Sequence, residues 1–236
     1  MRRGFVTCTV ATFLAMSPFT AAQEQRTVLP GADLTISVHD YANVSDASLA
    51  SAIAQASQAF RRAGLATVWL TCGPRVQAVE PRACASVDET HLMLKILPRA
   101  VNAQVKDRLD VLGTALLDDK GGGFFACVYY DHVRRLAENR GLGSEVLGAV
   151  LAHEIGHLLL GSNRHSVSGM MSAHWQANEL RAISEGAMDF GTAESKSMQK
   201  RLHTLQSARH SESDELTGIT AKQKSEMAMV AAAGLR

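Results

Sequence analysis

The sequence predicts an α/β (α+β) fold: a mixed, mostly parallel twisted sheet, a backing helix, a long apolar helix carrying histidines, and a small helical C-terminal part. Three observations predict it. Residues 34–38 alternate apolar and polar and are followed by a helical repeat of apolar residues and then by a second short apolar run, 66–71. Short connections between such elements imply a right-handed parallel crossover. The tight turn Asp118-Asp119-Lys120-Gly121-Gly122-Gly123 lies between two further apolar runs, so one strand near an edge of the sheet is expected to be reversed. Finally, residues 144–160 read as an apolar helix whose buried face is supplied by Val146, Leu147, Val150, Leu151 and Leu158.

At 236 residues with 46% hydrophobic side chains, the chain is long enough for one domain with a substantial core. Its first residues, Met1-Arg2-Arg3, an apolar run to Met16 and then Thr20-Ala21-Ala22, have the three parts of a cleavable export signal. The apolar run is shorter than the roughly 20 residues that span a bilayer, so no stable membrane insertion is expected after cleavage. The expected organisation is a signal over residues 1–22, a main domain over 31–206, and a polar, disordered tail over 207–236. The expected location is periplasmic or extracellular. Loss of residues 1–22 leaves 22 basic against 23 acidic side chains. That balance, with only 5% aromatic residues, gives no basis for nucleic-acid binding.

In chain order, Asp46 is expected to cap a helix over 47–63, in which Leu49, Ile53, Ala56 and Phe60 recur at helical spacing and Gly64 stops the helix. Residues 72–88 contain prolines and no periodicity and are read as a loop. In an oxidising compartment Cys72 and Cys84 would staple that loop, leaving Cys127 as a buried free thiol. Residues 91–97 form a third strand, whose lone His91 is read as structural. Residues 112–117 and 124–130 flank the tight turn as strands. The three glycines of the turn do not make a phosphate loop, since no Lys-Ser/Thr follows and no helix opens there. A short helix is expected over 131–139 and closes at Gly141. Ser144 then caps the long helix, Gly161 ends it, and helices over 177–183 and 193–205 complete the domain.

On the long helix stands His153-Glu154-Ile155-Gly156-His157. Helical residues four apart lie about 40° apart around the axis, so both imidazoles point the same way and can grip one metal ion. Glu154 lies beside that face as general base for a water at the metal, the pattern of zinc-dependent hydrolysis. Two histidines and a carboxylate in an apolar helix are costly without partners, and a metal removes that cost.

With Gly161, His165 and Met170 or Met171 downstream, the sequence resembles the metzincin metallopeptidases. Their long motif is His-Glu-x-x-His-x-x-Gly-x-x-His with a methionine turn beneath the metal. Here one extra residue stands on each side of the glycine. The resemblance covers about residues 34–175 and implies a zinc endopeptidase: His153, His157 and His165 as Zn2+ ligands, Glu154 as catalytic base, and a peptide or protein as substrate. Glu179 is the rival third ligand, as in thermolysin-like peptidases. Substrate is expected to lie extended along an exposed sheet edge, either 112–117 or 124–130. Tyr129, Tyr130 and Trp175 are candidates to line the cleft, though aromatic residues in apolar strands more often belong to a core. Two other readings stand beside this one: a zinc-binding structural or interaction module, and a hydrolase of non-peptide amides.

Overall fold

The computed structural model describes residues 34–73, 81–100, 108, 110–138 and 140–209. The expected export signal, the leader that follows it and the tail beyond residue 209 lie outside the described residues. Within them the fold is a mixed α/β arrangement of five strands and six helices. The strands are β1 (Leu34–Asp40), β2 (Thr67–Cys72), β3 (His91–Leu97), β4 (Gly113–Leu116) and β5 (Phe125–Tyr129). The helices are α1 (Asp46–Arg62), α2 (Pro81–Ala85), α3 (Tyr130–Ala137), α4 (Gly143–Leu160), α5 (Ala177–Ser184) and α6, which covers 192–209. Among the described residues no helix is long and apolar enough to cross a membrane.

The sheet order is β2-β1-β3-β5-β4. β1, β2, β3 and β5 are parallel, and β4 alone is reversed, paired with β5 from Gly113 opposite Val128 to Leu116 opposite Phe125. The alternation read in the sequence has its cause here. Leu34, Ile36 and Val38, Leu92, Leu94 and Ile96, and Ala126 and Val128 are buried and share one core with apolar residues of α1 and α4. The expected parallel crossover is β1-α1-β2. His91 is structural as expected: its Nε2 lies 2.6 Å from the Ser37 hydroxyl, both residues being buried.

α4 is buried on every side from Val146 to Leu159, packed among α1, α3, α5 and strands β3, β4 and β5. A helix so enclosed derives its stability from packing, about 1.5–3 kcal/mol for each fully buried Leu, Ile or Val, and needs little from its cap. That accounts for a difference from the sequence reading. Leu142 occupies the N-cap without a side-chain bond, while Ser144, expected there, lies inside the first turn and donates to Glu145 Oε2 at 3.0 Å. At α1 the cap is Ser45, whose hydroxyl accepts from the Ser48 amide at 3.2 Å; Asp46 follows in the first turn.

The expected loop over 72–88 contains the five-residue helix α2, with proline at its first position, where a missing N–H costs nothing. Cys84 of α2 is bonded to Cys72 at the end of β2, as expected. Cys127 is free and half-buried. β5 ends at Tyr129 and α3 begins at Tyr130, one residue earlier than expected. α6 runs through 209 and so takes in residues 207–209 of the expected tail.

Candidate metal centre

Gly161, the C-cap of α4, has φ 63°, a left-handed conformation that glycine adopts without strain, and its amide donates to the His157 carbonyl. The chain therefore stops and doubles back as the sequence predicts. A series of main-chain bonds then holds the return loop. The Ser166 amide donates to the Met171 carbonyl at 2.7 Å, and the Met170 amide to the Asp189 carbonyl at 2.9 Å. The segment at Asp189 is held in turn by Arg62 at the end of α1, which bonds the Asp189 carboxylate and the Met188 carbonyl.

This framework brings His153, His157 and His165 together, with one candidate ligand nitrogen from each lying within 4.8 Å of the others. The His153 ring stacks on His165 with centroids 5.3 Å apart, and His157 meets His165 edge-on at 4.9 Å. His153 Nδ1 donates to the Met170 carbonyl and His157 Nδ1 to the Ser162 carbonyl, each at 2.7 Å. A carbonyl only accepts, so both Nδ1 atoms carry hydrogen and both Nε2 atoms present lone pairs. Burial favours the neutral form of each imidazole. It drives His153 down to about 4, helped by its two histidine neighbours, and lowers His157 and the more exposed His165 as well.

The Nε2 atoms of His153 and His157 stand 3.0 Å apart. Two lone pairs at that distance repel unless a proton or a metal ion lies between them. Two imidazoles on one tetrahedral zinc, with Zn–N about 2.0–2.1 Å, would have nitrogens about 3.3 Å apart. The donors therefore fit a metal ion in number, protonation and spacing.

Glu154 is buried, with 4% of its surface exposed, and burial raises its carboxyl from 4.5 to about 8. It lines the same cavity of about 540 Å³ as the three histidines and Gly113, Thr114 and Ala115 of β4. A Cβ on Gly113 would stand 2.5 Å from Glu154 Oε1 and 2.7 Å from the Cys127 carbonyl, so only glycine lets the carboxylate sit against β4. Of the expected cleft aromatics Trp175 lines the cavity, its ring edge-on to His153 at 5.7 Å. Tyr129 belongs instead to the core. The thioether of Met171 lies against Gly156, between the two histidine positions of α4: a Cβ there would stand 2.7 Å from its Sδ.

Glu179, the rival ligand, is not part of this cluster. It caps α5, its Oε2 accepting from the Gln176 amide at 3.1 Å while the Gln176 side chain accepts in return. Gly113, the orienting carbonyls of Ser162 and Met170, and His174 on the cavity wall were not found from sequence. A glycine in a strand, a serine in a turn and a histidine outside any spaced motif carry no local signal of their tertiary neighbours. No family model matches the chain, and no curated protein matches it significantly.

Proposed function

We propose that this chain is an exported zinc-dependent endopeptidase of the metzincin type, with His153, His157 and His165 as ligands and Glu154 as general base. The observation that carries the reading is the pair of facing Nε2 lone pairs 3.0 Å apart, with a buried carboxyl one residue away on the same cavity. When bound, zinc supplies a Lewis acid that polarises a carbonyl and makes water more acidic.

The chain's own groups do the rest. Among the described residues β4 is the edge strand of the sheet beside the cavity, whereas β5 is paired on both sides, so β4 is the strand along which an extended substrate would lie. Glu154 accepts the proton of the attacking water as the new C–O bond forms. It returns that proton to the amine as the C–N bond breaks. Burial raises this carboxyl in the metal-free chain, and a divalent cation held by the three histidines would lower it again towards the ionised form that a base requires. A purely structural zinc site closes with a fourth protein ligand; here the third histidine is exposed and the cluster opens on a cavity. The Cys72–Cys84 bond supports an oxidising compartment, and hence export through residues 1–22.

The test is incubation of the purified mature protein with a peptide library, with and without a chelator. The reading predicts cleavage that the chelator abolishes and added zinc restores, and none with Glu154→Gln. Zinc bound one to one with no peptide cleaved would overturn the peptidase and favour the binding module.

A further inference from the structure

His165 lies eight positions beyond His157, where the metzincin pattern has six. Among the described residues no hydrogen bond to its imidazole is found; the ring meets those of His153 and His157, and His174 on the same cavity interacts with it electrostatically. The longer return must therefore be steadied through its backbone.

The support comes from the far end of the domain. Arg201, on α6, donates from Nη2 to the Gly121 carbonyl at 2.9 Å, and a Cβ on Gly161 would stand 2.2 Å from its Nη1. Gly121 and Gly161 are themselves in backbone contact, both left-handed, with φ of 76° and 63°. A Cβ on Gly121 would fall 2.5 Å from the Gly161 carbonyl oxygen, and one on Gly161 would fall 2.8 Å from the Gly121 oxygen. The Gly121 turn is firm, since Asp118 Oδ1 accepts from the amides of Lys120 at 2.8 Å and Gly122 at 2.7 Å. The guanidinium also stands at the C-terminal, negative end of α4, where a cation is favoured. Immediately downstream, the Ser162 carbonyl orients His157.

We propose that Arg201 is a positioning residue of the metal centre. It clamps the hairpin turn at Gly121 onto the turn at Gly161 and Ser162, and so sets how His157 and His165 present their ligand nitrogens. The inference rests on the metal-centre reading above.

The test uses the full mature chain loaded with Co2+, whose visible absorption reports coordination geometry, together with zinc affinity from competition against a chromophoric chelator. Arg201→Ala should shift the Co2+ bands and weaken zinc binding about 10- to 100-fold, the range for groups that orient a ligand. Arg201→Lys, which keeps the charge, should recover part of both. Gln199→Ala removes another tether of α6, the 2.6 Å bond to the Ala63 carbonyl, and should lower thermal stability while leaving the spectrum unchanged. Arg201→Gln is read in the same way if the alanine variant does not fold. Wild-type affinity and spectrum in the Arg201 variants, or the same spectral change in Gln199→Ala, would overturn the clamp. Absence of Co2+ and zinc binding by the wild type would instead remove the metal-centre reading, and the clamp with it.

Discussion

His153 and His157 present their Nε2 atoms to each other across 3.0 Å because each ring has given its Nδ1 hydrogen to a backbone carbonyl, Met170 for one and Ser162 for the other. The tautomers are thus set by the loop that follows α4, so the helix and its return loop form one unit.

Ligand roles separate by substitution. His165→Ala should weaken zinc binding by more than the roughly 10- to 100-fold that loss of an orienting group costs. Glu179→Ala should keep zinc and lower stability by about 1 kcal/mol, through loss of the α5 cap. Chelator competition and thermal melts measure the two effects; zinc loss in Glu179→Ala alone would reverse the assignment.

The metal-free protein should lose stability as pH rises from 6.5 to 8. Glu154 has a folded pKa of about 8 against an ordinary 4.5, so between those values the folded state holds a proton that the unfolded state releases. Its contribution is complete below 4.5 and falls with rising pH. His153, lowered to about 4 from 6.5, acts in the opposite sense, but only below 6.5. Between 6.5 and 8 the Glu154 effect therefore stands without that offset, on the order of 2 kcal/mol over the interval. Denaturant melts of apo wild type and Glu154→Gln should show the decline in the first and its loss in the second.

Gly113→Ala puts a methyl group 2.5 Å from Glu154 Oε1 and 2.7 Å from a backbone carbonyl that has little room to yield. Overpacking of this kind costs about 1–3 kcal/mol. The expected outcome is a lower melting temperature and loss of peptide cleavage, with zinc still bound by the histidines.

Reduction of Cys72–Cys84 opens a loop of sequence separation 12 and should lower stability by about 3 kcal/mol on the chain-entropy account. Zinc affinity should not change, because neither sulfur lines the cavity. Denaturant melts with and without a phosphine reductant measure the first effect, and chelator competition the second.

Much of this arrangement was legible in the sequence because it is written in periods and spacings. The strands at 34–38 and 91–97, the helix ending at Gly161, the reversed strand near an edge and the two histidines four apart all follow from local patterns. What was hidden depends on residues distant in sequence. Ser144 has the residue type of a cap, yet α4 starts at Gly143 behind Leu142, because burial from Val146 to Leu159 holds the helix without a side-chain cap. α2 is too short to show a period and is joined to β2 by a disulfide. Local patterns do not tell which of the two strands flanking the Gly121 turn is the edge; the pairing puts β5 between β3 and β4, with β4 outermost among the described strands. Gly113 and Arg201 lie far in sequence from the groups they serve, Glu154 and Gly161.

The most direct measurement is a zinc titration of the mature protein at neutral pH, beside the double variant His153→Ala/His157→Ala. The account predicts one zinc per chain in the wild type, removed by chelator, and none at the same concentrations in the variant. A wild type that takes up no zinc, or a double variant that binds it equally well, would contradict it.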